Sequence, residues 1–254
     1  MARESKKAAG IRWRLWLGLT ALLLLFVSTG WAAIRLHRYA VTDPRFTLSP
    51  ENKDALKIEG LNYVSRGRVL RVFEADLGRS IFAIPLAERR RRLLAIDWVE
   101  DASVSRIWPN RQAVRIRERK PVAFVAERAG PLLVDAGGVL LDPPSRAQFA
   151  FPVLDGLREE EAEAGRRDRV RAYLRFQKDL GRMANDVSEV DVSDLNDIRI
   201  VARVDDRALE LMLGDENYAL RYRNFLAHYP EIRKQSPDAR TFDLRLDDRI
   251  SARK

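Results

Sequence analysis

Residues 96–124, IDWVEDASVSRIWPNRQAVRIRERKPVAF, carry the strand and turn pattern from which the fold is predicted. Apolar residues recur through its first half, and Pro109 with Asn110 then supplies a turn dipeptide. After the turn, Val114 and Ile116 alternate with charged residues, as in a strand with one buried face. The stretch therefore predicts two strands joined by a tight turn and followed by an exit strand. It holds no pattern typical of catalysis, so the function must be sought in the sequence around it.

Towards the N-terminus, residues 15–34 form a run of twenty residues without a charge. An α-helix of about 20 residues spans the hydrocarbon core of a bilayer, because each residue rises about 1.5 Å. Five Lys or Arg precede the run and three Arg follow it closely, which predicts a cytoplasmic N-terminus and an exported remainder. We therefore predict a cytoplasmic tail over residues 1–14 and a transmembrane helix over residues 15–36. The predicted anchor residues are Leu15, Leu23, Leu24, Phe26 and Trp31.

A cleaved signal peptide is the alternative interpretation of this segment. Residues 15–27 would form its apolar region, and Gly30-Trp31-Ala32 would be a small-x-small cleavage site. The apolar run continues past that site through Ala33 and Ile34, which favours an uncleaved anchor. In both cases most of the chain lies outside the cytoplasm, which argues against nucleic acid as a partner.

The composition excludes several classes of site. The chain has 46 Lys and Arg against 37 Asp and Glu, a net charge of +9, but Arg and Glu are interleaved, which indicates a charge-mixed surface. Cys is absent, so there are no disulfides, thiolate metal ligands or Cys nucleophiles. With only two His, no His-based metal cluster is available. We expect no metal, no cofactor and no small-molecule substrate.

After a polar linker over residues 37–50, expected to lift the next domain off the membrane, the pattern predicts a small α+β domain. Its order is strand, helix, helix, strand, strand, with Ser65 as the N-cap of the first helix and Pro85 near the start of the second. The second helix carries four consecutive Arg, residues 89–92. We expect a solvated helix flank there; contact with lipid headgroups or an acidic partner is the functional alternative.

The remaining sequence predicts a mixed, mainly antiparallel sheet with two helices. Helical spacing indicates one helix over residues 166–184 and another that ends before Pro230. Residues 241–246 then alternate cleanly, with Phe242, Leu244 and Leu246 on one face. No Gly-rich phosphate loop, G-x-S-x-G elbow or H-E-x-x-H motif occurs, so catalysis is not expected.

The order of these features resembles the bacterial cell-division proteins of the FtsQ/DivIB family. The most specific part is the opening stretch, with Trp98-Val99, Trp108-Pro109 and Glu118-Arg119-x-Pro121. The further landmarks are Leu133-Val134-Asp135, Gly137-Gly138, Asp197-Ile198, Leu213-Gly214 and Phe242-Asp243-Leu244-Arg245. The resemblance covers nearly the whole chain. It implies that residues 51–119 form a POTRA domain, that residues 120–250 form the family's β-domain, and that residues 251–254 form a tail.

The resemblance also implies a function. Members of this family are non-enzymatic scaffolds of the divisome, single-pass inner-membrane proteins enriched at the septum. They bind FtsB and FtsL outside the cytoplasm and help to recruit and regulate the septal peptidoglycan synthase, FtsW with FtsI. The POTRA domain is linked to recruitment and to FtsK.

In the family the last strand of the β-domain receives a partner strand, which maps here onto residues 241–246 and the tail. The predicted partner-binding residues are Thr241, Phe242, Asp243, Leu244, Arg245, Leu246 and Ile250. A strand at a sheet edge has unpaired backbone groups that an added strand satisfies. Thr241 stands where relatives have an aromatic residue, and the tail lacks their Trp, so the side-chain anchors are expected to differ. An ordinary core strand followed by a disordered tail is the structural alternative.

Three other functions compete with this interpretation. A POTRA module of an envelope assembly or secretion system would normally precede a β-barrel, and no series of lipid-facing strands is evident. A membrane-anchored envelope enzyme would need a catalytic constellation. A binder of anionic lipid or nucleic acid would show a steep salt dependence of binding.

Overall fold

The computed structural model describes residues 4–52, 54–127, 130–145, 147–247 and 249–253, and side chains from residue 16 onward. The chain divides into two compact units at Arg117 and Glu118. The predicted class, α+β with one N-terminal apolar helix, a small first domain and a mixed-sheet second domain, is confirmed.

The first element is a single long helix, α1, Glu4–Thr42. Its portion Trp16–Thr42 is long and apolar enough to cross a membrane, and none of the most apolar window is buried. The helix extends beyond the predicted transmembrane segment, residues 15–36, at both ends. It ends at Thr42 because Pro44 has no N–H and disfavours helical geometry at the residue before it.

Residues 37–50, expected to form a polar linker, are not a separate segment in the structure, since α1 includes residues 37–42. After α1, a single 3-10 turn, Pro44–Phe46, leads into Thr47, which forms an antiparallel bridge with Ser80. The amide of Ile81 donates to the carbonyl of Phe46 at 2.8 Å, and Leu48 is fully buried. Backbone pairing and one buried leucine therefore hold this segment in the first unit, and neither produces a periodic pattern in the sequence.

The first unit has the predicted order of elements. They are β1, Leu56–Glu59; α2, Arg66–Phe73; α3, Leu86–Leu94; β2, Val99–Ile107; and β3, Arg111–Glu118. The sheet order is β1-β3-β2, with β1 parallel to β3. The Ser65 hydroxyl caps α2 by accepting from the Arg68 amide at 3.3 Å, as predicted. Gly60, at φ +84°, closes β1 where a Cβ would collide with the carbonyl oxygen of Ile116.

Of the four consecutive arginines, Arg89 does not lie on a solvated flank, and that expectation is wrong for this residue. It is 4% exposed and forms a bidentate ion pair with fully buried Asp76, Nε to Oδ2 at 2.6 Å and Nη2 to Oδ1 at 2.8 Å. Each helical residue is rotated by about 100°, so one of four successive side chains points inward. Its neighbour Arg90 donates to the carbonyl of Ala102 at 2.7 Å, and Arg92 pairs with Glu88 on the surface.

The second unit is built on a large mixed sheet. Its strands are β4, Pro121–Glu127; β5, Gly130–Asp135; β6, Leu140–Leu141; β7, Val153–Asp155; β8, Val187–Asp191; β9, Ile198–Val204; β10, Arg207–Gly214; β11, Thr241–Leu246; and β12, Arg249–Arg253. Within the described residues the order is β12-β11-β10-β9-β8-β7-β4-β5-β6. Parallel pairs occur at β10–β11, β7–β8 and β4–β7, and the other neighbours are antiparallel.

Two helices, α4, Glu163–Leu180, and α5, Tyr218–Gln235, pack on this sheet. Their fully buried aromatic residues, Tyr173, Phe176, Tyr222 and Phe225, form much of the core. The predicted end of α5 before Pro230 is wrong, because Pro230 lies inside the helix. Proline removes one helical hydrogen bond. The loss is offset by Tyr229, 2% exposed, and by Ile232, which also packs against the core.

Candidate partner-binding edge

The predicted edge strand is not at the edge. β11 lies between β10, with Leu211 opposite Phe242, and β12, with Ala252 opposite Phe242. Its backbone groups are therefore used on both sides, and the edge is β12. The prediction of residues 251–254 as a tail is wrong for 251–253, which are strand; Lys254 lies outside the described residues.

The position of β12 has a simple physical cause. Ile250 is the one large apolar residue of this strand, so its alternation with Ala252 is a weak signal in the sequence. Backbone pairing with β11 rather than burial of side chains holds it, and four of its five residues are exposed while Ile250 is half-buried. Among the described strands, none pairs with the far side of β12. A strand in this position presents a row of unpaired N–H and C=O groups.

The predicted partner-binding residues of β11 divide into two sets. Phe242 and Leu244 are buried, and the Phe242 ring lies 5.0 Å from that of Phe225, so both belong to the core. Thr241 and Asp243 are half-buried, whereas Arg245 and Leu246 are exposed. Leu246 does not share the buried face that the alternation predicted, because the pairing of β11 with β12 shifts register between Asp243 and Leu246.

The face of β11 opposite the core carries a charge network, here called the Asp243 network: Asp197, Asp243, Arg245 and Arg253. Arg245 Nη2 lies 2.6 Å from Asp243 Oδ2 and its Nη1 lies 3.6 Å from Asp197 Oδ2. Arg253 of β12 reaches Asp243 at 3.4 Å. The side-chain hydrogen bonds from Arg245 hold the pKa of Asp243 below its ordinary value. Two landmarks of the family resemblance thus meet beside the edge strand, although 44 positions or more separate them in the sequence: Asp197-Ile198 and Phe242-Asp243-Leu244-Arg245.

Sequence reasoning missed Arg221 of α5, which holds the start of this edge. Its side chain is 7% exposed; Nε donates to Asp247 Oδ1 at 2.7 Å and Nη1 donates to the Leu213 carbonyl at 2.6 Å. Gly214, at φ +77°, leaves room for it, since a Cβ there would lie 2.8 Å from Arg221 Nη1. One signal in the sequence could have indicated a buried role for Arg221, because this cationic residue lies next to the apolar face of Tyr218, Tyr222 and Phe225.

A groove of about 390 Å³ lies between the second half of α5 and the start of β12. Its lining residues include Asn224, His228, Glu231, Ile232 and Ile250. Ile250 enters the groove from the strand and packs against the core. A strand added to β12 would place alternate side chains along this groove.

The predicted anchor residues all lie in α1. Leu23, Leu24, Phe26 and Trp31 are each at least 62% exposed, as expected for side chains that face lipid. The backbone of Leu15 lies in α1, but its side chain is outside the described residues.

Comparisons with known proteins agree with this architecture. A family model described as "POTRA domain, FtsQ-type" matches residues 54–119. The chain is 37% identical over 253 residues to "Cell division protein FtsQ" of Koribacter versatilis, covering 97% of this chain and 71% of that protein. It is 31% identical over 106 residues to the protein of the same name from Bordetella pertussis, covering 42% of this chain and 36% of that one.

A solved structure, the major extracytoplasmic domain of the cell-division protein DivIB from Geobacillus stearothermophilus, is 18% identical. It covers 46% of this chain and 92% of that chain with a TM-score of 0.28, which is too low to bear on the fold. The identity to the Koribacter protein along almost the whole chain is decisive. The chain belongs to the FtsQ/DivIB family of bacterial cell-division proteins.

Proposed function

We propose that this cell-division protein is a non-enzymatic scaffold of the divisome that captures a strand of FtsB, in complex with FtsL, on the free edge of β12. In this proposal α1 spans the inner membrane with its N-terminus in the cytoplasm. Both folded units are periplasmic and gather at the septum. The captured pair then helps to recruit and regulate the peptidoglycan synthase, FtsW with FtsI.

The observation that carries the proposal is the state of β12. Its outer edge has no strand partner among the described residues. β12 also continues a sheet that has one face covered by α4 and α5. An added strand would satisfy the unpaired backbone groups without disturbing the core. The proposal moves the site from β11 to β12, keeps Ile250 in it, and leaves Phe242 and Leu244 as core residues that support it.

The side chains of β12 indicate which residue types a complementary partner strand would carry. Ala252 lies opposite core-facing Phe242, so Ile250 and Ala252 share the helix side of the sheet. Ser251 lies opposite Asp243 and Arg253 opposite Thr241, so both share the side of the Asp243 network. A complementary strand would carry small or apolar residues towards α5. On the other side it would carry at least one acidic residue, because the side chains of Arg245 and Arg253 are 41% and 53% exposed, whereas the two aspartates of the network are at most 18% exposed.

The first unit has a separate role in this proposal. By the family resemblance its POTRA domain contacts FtsK and directs the protein to the septum. The two interactions use different units of the chain, so a change at β12 should leave septal recruitment intact.

Two proline variants test strand capture. Backbone N–H groups alternate between the two sides of a strand, so one of Ser251→Pro and Ala252→Pro removes a bond to β11 and the other removes an outward donor. We expect one variant to lose thermal stability and the other to keep it while losing capture of purified FtsB–FtsL by the full chain in nanodiscs. Ser251→Ala and Ala252→Ser are the controls, since they leave every backbone donor in place. If the stable proline variant captured FtsB–FtsL as well as the wild-type chain does, strand addition at β12 would be refuted.

A further inference from the structure

Four aromatic side chains, Tyr39, Phe46, Phe82 and Trp108, cluster where α1 meets the first folded unit. Phe46 lies at the centre, with ring centroids 6.1 Å from Tyr39, 5.2 Å from Phe82 and 6.1 Å from Trp108. The outer three are 50%, 39% and 72% exposed. Trp108, the most exposed of them, is at the tip of the β2–β3 hairpin. This aromatic patch is therefore an apolar surface formed by three separate parts of the sequence.

The patch is fixed relative to the end of α1. The Ser80 hydroxyl, in a residue only 4% exposed, donates to the carbonyl of Ala40 in the last turn of the helix at 2.7 Å. Backbone hydrogen bonds join Leu48 to Arg79 and Ile81 to Phe46, each at 2.8 Å. The folded unit is thus held against the helix end by hydrogen bonds, and the patch keeps a defined height along the helix axis.

That height corresponds to the membrane surface. The charge-free run of α1 ends at Ile34, and Tyr39, the first residue of the patch, is five residues further on, about 7.5 Å at 1.5 Å per residue. Beyond a hydrocarbon core of about 30 Å, each headgroup layer adds roughly 5–8 Å. The patch therefore begins at the level of the headgroups. Trp and Tyr side chains favour this interface, where one end of the ring is apolar and the other is hydrated.

The charges around the patch have one predominant sign. Residues 35–45 contain three Arg and a single Asp. The side chain of Arg45 is 79% exposed and that of Arg79 is 49% exposed. Arg106, beside the hairpin tip, donates to the carbonyls of Ile81 and Ile84 at 2.6 and 3.1 Å and so holds the loop that carries Phe82. A cationic rim around exposed rings fits a surface of anionic lipid headgroups.

We propose that the aromatic patch and its arginine rim dock the first unit directly on the anionic outer surface of the membrane that α1 crosses. This rests on the part of the proposed function in which α1 spans the inner membrane, and it is independent of strand capture at β12. Trp108 and Phe82 enter the headgroup layer, and the arginines contact lipid phosphates. The POTRA domain thus lies on the membrane instead of standing off it on a linker.

The chain has no Cys, so a single introduced Cys reports on one position. The probe is a fluorophore on Ser105→Cys, an exposed position of β2 near the hairpin tip. Its counterpart is Glu100→Cys, about 16 Å further along the same strand. The labelled full chain is placed in nanodiscs with or without phosphatidylglycerol, and quenching by headgroup-nitroxide lipid is measured.

We expect stronger quenching at position 105 than at position 100, and a decrease when phosphatidylglycerol is left out. Trp108→Ala with Phe82→Ala should shift the ratio of docked to free unit by roughly ten- to a hundred-fold per ring and abolish the difference between the two positions. Leu70→Ala is the matched control, since Leu70 is 38% exposed on α2 of the same unit and lies outside the patch.

Equal quenching at the two positions, or no effect of the double variant, would overturn the docking. Equal quenching with and without phosphatidylglycerol would overturn the anionic contact. Capture of FtsB–FtsL is measured on the same nanodiscs, and we expect the double variant to retain it. Absence of docking in the wild-type chain with intact capture would therefore refute this inference alone, whereas failure of the chain to enter nanodiscs would refute the membrane anchor itself.

Discussion

The buried ion pair of the first unit gives the most quantitative test of the packing described above. Asp76 is fully buried and Arg89 is 4% exposed, and their side chains are joined by hydrogen bonds of 2.6 and 2.8 Å. These hydrogen bonds also raise the pKa of the Arg89 guanidinium. Replacing Asp76 by Ala leaves a buried guanidinium without its main partner. Such a change costs about 3–5 kcal/mol of unfolding free energy.

We expect the lower end of that range, because Arg89 Nη1 keeps Glu88 at 3.0 Å. Small domains have about 5–15 kcal/mol of stability in total, so a loss of about 3 kcal/mol is a large fraction of it. Removing both charges with Asp76→Leu and Arg89→Leu should cost far less than Asp76→Ala, because no unpaired charge is left. The control is Arg92→Ala, which breaks an exposed ion pair with Glu88 and should cost about 0.3–0.5 kcal/mol.

Native-state hydrogen exchange of the full chain in nanodiscs measures this, since it separates the amides of the first unit from those of the second. Faster exchange should appear across α2, α3 and β2 in Asp76→Ala and be largely restored in the double leucine variant. If Asp76→Ala is no more damaging than Arg92→Ala, the pair is not buried as described and the reasoning fails.

Two further predictions concern the second unit. Burial raises the pKa of Asp155 above 3.8, and the carboxylate of Asp191 on the neighbouring strand adds to this increase. The charged form of Asp155 therefore destabilises the native state. The contribution of Asp155 to stability falls as the pH rises through the raised pKa. Asp155→Asn should therefore be more stable than wild type at about pH 7, with the difference in urea midpoint shrinking at about pH 4; an equal difference at both would contradict this. Burial raises the pKa of Tyr222 to about 12, and its hydroxyl has no hydrogen-bond partner among the described residues, so Tyr222→Phe should leave the thermal midpoint unchanged or raise it. Tyr173→Phe removes a hydrogen bond to the Val122 carbonyl and should cost about 0.5–1.5 kcal/mol; a larger loss in Tyr222→Phe than in Tyr173→Phe would contradict the assignment.

The sequence predicted those elements whose side chains repeat with the period of a helix or strand. Ser65 before an apolar stripe indicated the start of α2, and the alternation of residues 241–246 indicated a strand with Phe242 and Leu244 buried. These signals are local, because each depends on residues within one element.

The sequence did not predict features that depend on pairing between distant segments. β12 is held by backbone bonds to β11 and has little apolar periodicity, so it resembles a tail. The inward position of Arg89 depends on Asp76 in a different element. The attachment of residues 44–48 to residues 78–81 is likewise a backbone contact across thirty positions or more. The edge of the sheet, and with it the candidate site, therefore required the structure.

We propose that β12 is the strand on which the partner is captured. Backbone amide exchange of the full chain in nanodiscs, with and without purified FtsB–FtsL, measures the hydrogen bonds that this capture would form. We predict slower exchange over residues 249–253 in the complex and no change in β6 at the opposite edge of the sheet, because only β12 would gain new backbone hydrogen bonds. Unchanged exchange in β12, with new protection elsewhere in the second unit, would contradict the claim.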